Sequence, residues 1–162
     1  MKYLISILFI CLLFNNSYAQ DKKIPVYTIT KGIVYKGKTK VEESDYHKIK
    51  YLKVGGYGNV SSLKAANIDL KKFPNVVSLD LSYNRFKEIP KDLYHLKNLK
   101  YLNLVKICAH DDCEGAYVTN FKFPDTFWKL TNLRKLTINN VSTKQMVLLK
   151  KKLPECKVII KN

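Results

Sequence analysis

Histidine is scarce in this chain, and nothing in the sequence assembles a catalytic set. The 162 residues hold three, His47, His95 and His110, and none stands in a nucleophile signature such as G-x-S-x-G. Long apolar runs are nearly absent. The sustained one covers residues 3–14, short of the ~20 residues that a membrane-spanning helix needs. Acidic side chains are outnumbered, with 13 Asp and Glu against 29 Lys and Arg and a formal charge of +16. The cations at Lys71, Lys72, Lys87, Lys91, Lys97, Lys129, Arg134 and Lys144, and in the run 150–152, are scattered along the chain. Such a charge favours solubility and attraction to acidic partners. The interleaved aromatics of a known nucleic-acid fold are missing. Gly55-Gly56-Tyr57-Gly58 lacks the helix opening of a phosphate loop, so its glycines are read as permitting a bend.

What the chain does have is an apolar rhythm. Residues 76–99 read VVSLDLSYNRFKEIPKDLYHLKNL. Leu79 and Leu81 alternate with Ser78, Asp80 and Ser82, the period of a strand with one buried face. From Leu93 the spacing lengthens to Leu96 and Leu99, which suits a helical or 3₁₀ return. Asn84 stands where the chain leaves the strand, and its amide can satisfy turn backbone. A single coil of this kind cannot cover its own apolar side and needs a coil on each flank.

The neighbours are present. Ile49, Leu52 and Val54 repeat the strand spacing, and Leu70, Phe73 and Val76 repeat the return. A third coil uses Leu99, Leu102 and Leu104, then Phe123-Pro124, Phe127, Leu130 and Leu133. A fourth uses Leu133, Leu136 and Ile138, then Met146, Leu149 and Leu153 on a helix expected after Ser142-Thr143. Counting 23 residues on from Leu133 reaches Cys156, expected as a small buried residue heading a last strand over 157–160. The third coil is 11 residues longer than the regular one, which predicts an inserted loop at about 108–118.

The stretch 76–99 resembles the leucine-rich repeat pattern L-x-x-L-x-L-x-x-N-x-L-x-x-[LI]-P-x-x-L-x-x-L-x-x-L, with Pro90 in the proline slot. The likeness extends over 49–160. The tail Leu153-Pro154-Glu155-Cys156-Lys157-Val158 is similar to the closing L-P-x-C-K-[IV] of some bacterial members. The resemblance, to secreted bacterial leucine-rich repeat proteins, implies an α/β right-handed solenoid. A short parallel sheet would lie on the concave face, with irregular, 3₁₀ or helical returns on the convex face. The chain departs from the pattern in the turn: Asn84 fills the asparagine slot, but Tyr57, Ile107 and Val141 stand in the equivalent places. A continuous asparagine ladder there is not expected.

Around the coils the expected organisation is as follows. Lys2, the apolar run and Ser17-Tyr18-Ala19 have the form of a secretory signal peptide over 1–19. The remainder would be exported to the periplasm, cell surface or medium. Residues 20–48, β-prone with a turn signal at Lys36-Gly37-Lys38, form an N-terminal cap. The coils run over 49–153 and a closing strand over 154–162.

Two sets of candidate site residues follow. By the resemblance, function is non-catalytic protein recognition, without a cofactor, through the residues flanking the buried leucines. These are Tyr51, Lys53, Ser78, Asp80, Tyr101, Asn103, Lys135 and Thr137, with Tyr51, Tyr101 and Asp80 as the main contributors. The inserted loop, Cys108-Ala109-His110-Asp111-Asp112-Cys113-Glu114-Gly115, supports several readings. Cys108 and Cys113 suit a disulfide in an exported chain. Cys108, His110 and Cys113 offer three zinc ligands and lack a fourth. Asp111, Asp112 and Glu114 lack the alternation of a calcium loop, and a plain acidic loop is the remaining reading. Two rival functions stand beside recognition: an electrostatic binder of an anionic glycan, lipopolysaccharide or nucleic acid, and a metal-dependent enzyme built on this loop.

Overall fold

Alternating burial along each strand segment places one row of side chains in a shared core, and the strands stack to seal it. The computed structural model describes residues 25–30, 32–55, 62–64, 67–86, 88–107, 122–139 and 141–161. Strands β1 (Tyr27–Thr30), β2 (Ile33–Lys36), β3 (Thr39–Lys40), β4 (Tyr51–Val54), β5 (Ser78–Asp80), β6 (Tyr101–Leu104), β7 (Lys135–Asn139) and β8 (Lys157–Lys161) form one sheet. Its order is β3-β2-β1-β4-β5-β6-β7-β8. From β1 and β4 onward every pairing is parallel, whereas β1–β2 and β2–β3 are antiparallel.

The register follows the apolar rhythm. Leu52, Leu79, Leu102 and Leu136 lie opposite one another across β4 to β7, and all are buried. Val54, Leu81, Leu104 and Ile138 form a second buried row, and Ile49, Val76, Leu99 and Leu133 a third. The returns are held by i→i−3 bonds. Ile49, Phe73, Leu96 and Leu130 donate their N–H to the carbonyls of Tyr46, Leu70, Leu93 and Phe127, respectively. The 3₁₀ segments are Glu43–Lys48, Leu70–Lys72, Lys91–His95 and Asp125–Lys129. In the last coil the return lengthens into helix α1, Thr143–Lys152. Ser142 starts it with a capping box: its hydroxyl accepts from the Gln145 N–H, and the Gln145 side chain accepts from the Ser142 N–H. Strands stacked in parallel over short returns fit a leucine-rich repeat solenoid.

Asparagine amides tie coil to coil at two levels. At the strand exit, buried Asn84 donates to the carbonyls of Leu81 and Ser82 in its own turn and of Val54 in the preceding coil. The turns there need left-handed backbone, with φ of 54° at Gly55, 60° at Tyr83 and 54° at Lys106. Lys106 lies over the Tyr83 ring, 5.2 Å from its centroid. Before the strands runs a second ladder, on the surface. Asn75 donates to His47 O at 2.7 Å, Asn98 to Pro74 O at 3.1 Å and Asn132 to Lys97 O at 2.8 Å. Each reaches back one coil to the equivalent carbonyl. Its signal in the sequence is an asparagine just before the head residue, in Asn75-Val76, Asn98-Leu99 and Asn132-Leu133, which the apolar count passes over.

One register step departs from the 23-residue count. Lys135 pairs with Lys157, 22 positions on, so Val158 and Ile160 follow Leu136 and Ile138. Earlier strands open with two successive N–H groups sharing one carbonyl: Val77 and Ser78 on Lys50 O, Lys100 and Tyr101 on Val77 O, Arg134 and Lys135 on Lys100 O. The Lys157 N–H reaches Arg134 O at the same place relative to the pairing, but it does so alone. It also does so one residue sooner after Cys156 than Ser78, Tyr101 and Lys135 do after Val76, Leu99 and Leu133. Cys156 donates its N–H to Leu153 O as Val76, Leu99 and Leu133 do to the residues three before them, and it packs against the core half-buried.

Candidate binding face

Side chains that alternate with the buried rows emerge on the open face of the sheet. Strand pairing lines them up in two rows across the coils: Tyr51, Ser78, Tyr101 and Lys135, then Lys53, Asp80, Asn103 and Thr137. All eight are half-buried. The second row continues through Thr28, paired with Lys53, to Tyr35 of the hairpin.

Two side chains of the second row are engaged with the backbone. Asp80 accepts from the Ser82 N–H at 2.8 Å and Asn103 from the Val105 N–H at 3.1 Å. These short side chains fold back on backbone two residues ahead and shape the strand exit. Part of their hydrogen-bonding capacity is therefore spent inside the protein. Tyr51 and Tyr101 flank Ser78 across two strand spacings, about 10 Å. Two aromatic residues on either side of a small one offer large contact area with few rotatable bonds.

The ion pairs lie away from this face. The exposed ion pairs Lys40–Glu42 (4.0 Å), Lys48–Asp45 (2.6 Å) and Lys72–Glu43 (2.7 Å) lie before residue 73. Pairs of this exposure contribute little to stability. The Lys48 ammonium, hydrogen-bonded to Asp45, holds that carboxyl below its ordinary range. On the returns, Lys97 and Lys129 both lie over the Tyr94 ring, at 5.4 and 5.3 Å.

No family model matches the chain. A segment is 47% identical to the probable serine/threonine-protein kinase roco11 of Dictyostelium discoideum, over a 51-residue alignment covering 26% of this chain and 3% of that protein. Among solved structures, a leucine-rich repeat protein of Leptospira interrogans superimposes with a TM-score of 0.41 and 23% identity. That alignment covers 73% of this chain and 33% of the other. The chain thus matches only a small share of the curated relative and a third of the structural one.

The inserted-loop candidates Cys108, His110 and Cys113, with Asp111, Asp112 and Glu114, lie outside the described residues. So does the apolar run of residues 3–14. Among the described residues no cluster of three or more His, Cys, Asp or Glu is placed to hold a metal. No helix among them is long and apolar enough to cross a membrane.

Proposed function

We propose that the chain is an exported recognition module that binds a protein through the open, concave face of its parallel sheet. The observation that carries this reading is the row of Tyr51, Ser78 and Tyr101, in register on three adjacent strands and half-buried. Tyrosine side chains, with two rotatable bonds each, present area at little entropic cost. Lys53, Lys135, Asn103 and Thr137 surround them with polar groups, the arrangement of an anchor with a polar rim. Residues 1–19 act as the export signal, residues 20–48 shield the first coil, and the loop at about 108–118 adds specificity beside the face. The residues of the metal-dependent enzyme reading lie outside the described residues.

A photo-crosslinking amino acid placed at position 78, compared with one at position 97 on the return side, tests the reading. Incubated with extracellular and envelope protein from the source cells, position 78 should give a discrete protein adduct. Tyr51→Ala and Tyr101→Ala together should abolish it without changing the melting curve. Equal adducts from both positions, or adducts indifferent to the tyrosines, would remove the face from consideration. The charge of +16 favours a second reading, capture of an anionic glycan, lipopolysaccharide or nucleic acid. That binding would fall steeply with added salt and ignore the tyrosine substitutions.

A further inference from the structure

Among the described residues β8 is the outermost strand of the sheet and pairs with β7 alone. Its outer edge therefore carries main-chain N–H and C=O groups of the kind that accept an added strand. The two sides of that edge differ in chemistry. Toward the core, Val158 and Ile160 continue the buried row of Leu136 and Ile138, yet Ile160 is 46% exposed whereas Ile138 is 3% exposed. The apolar row thus ends on uncovered hydrocarbon. Toward the open face, Lys157 and Lys161 stand at the two ends of the strand with Ile159 between them, and Lys135 lies beside Lys157.

We propose that the β8 edge binds an extended peptide segment of alternating acidic and apolar character as the next strand of the sheet. Pairing fixes the pattern: acidic, apolar, any residue, apolar, acidic. The two apolar residues cover Val158 and Ile160, and the two acidic ones meet Lys157 and Lys161 as opposite charges on adjacent strands. The pattern is symmetric, so either strand direction satisfies it. A second copy of this chain fits the edge poorly. Antiparallel self-pairing about Ile159 sets Lys157 of one copy against Lys161 of the other, and parallel self-pairing stacks like on like. Like charges directly opposite destabilise a sheet, and the overall charge of +16 adds to the repulsion.

The test uses the full chain and fluorescent nine-residue peptides centred on Glu-Val-Thr-Val-Glu. Controls are a scrambled peptide of the same composition, a Lys-Val-Thr-Val-Lys version, and one N-methylated at alternate amides. Anisotropy titrations should show the first peptide binding at least about tenfold more tightly than any control, since two opposite-charge pairs and the strand bonds are at stake. Lys157→Glu with Lys161→Glu, both at exposed positions, should reverse the preference toward the lysine peptide. That gain also certifies that the variant is folded. Tyr51→Ala with Tyr101→Ala should leave this binding unchanged, which separates the edge from the open-face proposal. Equal binding of the scrambled or N-methylated peptide, or no binding at all, would overturn the inference. So would a concentration-dependent dimer in sedimentation that Ile160→Lys abolishes, because the edge would then belong to a second copy.

Discussion

The two ends of the sheet meet the same problem differently. At the N-terminal end the parallel ladder continues through β1 into an antiparallel hairpin, and Ile29 and Val34 are 2% and 1% exposed. At the other end β8 is the outermost strand among the described residues, and the residue in the corresponding row, Ile160, is 46% exposed. A stacked coil buries a side chain only when something lies on both flanks. Two additional strands suffice at one end. At the other, a strand bounded by Lys157 and Lys161 leaves its apolar row open while its charges discourage indiscriminate edge pairing.

Truncations measure this asymmetry most directly. Leu81→Ala in the middle of the stack and Ile29→Ala at the hairpin should each cost about 2–5 kcal/mol, as buried aliphatic residues do. Ile160→Ala should cost about 1 kcal/mol or less, since little of its surface leaves water on folding. Equal losses at Ile29 and Ile160 in denaturant melts would erase the contrast between the ends.

The next effect concerns what holds β8 in place. Asn139 accepts from the Lys106 N–H and donates to the Lys161 carbonyl, at 2.6 Å, and so bridges the β6 turn to the last strand. Asn139→Ala leaves the buried ends of those bonds unmet and should cost about 1–3 kcal/mol. It should also speed amide exchange in β8 more than in β4. Uniform acceleration across the sheet would mean that the end strand has no separate clip.

The smallest expected effect is a pH dependence at the same end. Burial pushes the Cys156 thiol up to about 11 from an ordinary value of 9.0. The unfolded chain therefore ionises first, and this group's contribution to stability is complete below pH 9 and is lost as pH rises toward 11. Because Cys156 is half-exposed, solvent screening holds the loss to about 1 kcal/mol or less. Melts at about pH 8 and about pH 10.5 should show a smaller alkaline loss in Cys156→Ala than in the parent chain. An identical loss would assign the alkaline sensitivity to other groups.

The repeat itself was legible because burial and spacing are one signal. Ile49, Val76, Leu99 and Leu133 mark coils whose strands do lie side by side, since each leucine row needs the next one as cover. The candidate face was legible in the same way, because residues alternating with buried leucines must emerge on the opposite side of the sheet. The surface ladder of Asn75, Asn98 and Asn132 escaped that reading. Its residues are polar and exposed, and only the neighbouring coil shows which carbonyl each amide reaches.

By itself the sequence determined the stacking unit, its length and its buried rows, because an apolar side chain's preference for burial is written in its identity and spacing. Tertiary structure alone decided the register of the last strand. Counting 23 residues from Leu133 would turn Ile159 inward, whereas pairing with β7 sets Val158 and Ile160 there and leaves Lys157, Ile159 and Lys161 on the open face. A strand's faces alternate every residue, so a single shared hydrogen bond present in the earlier coils and absent here exchanges them. The preceding coil presents Arg134 O as the earlier coils present Lys50, Val77 and Lys100 O; the last strand meets it one residue sooner after its head.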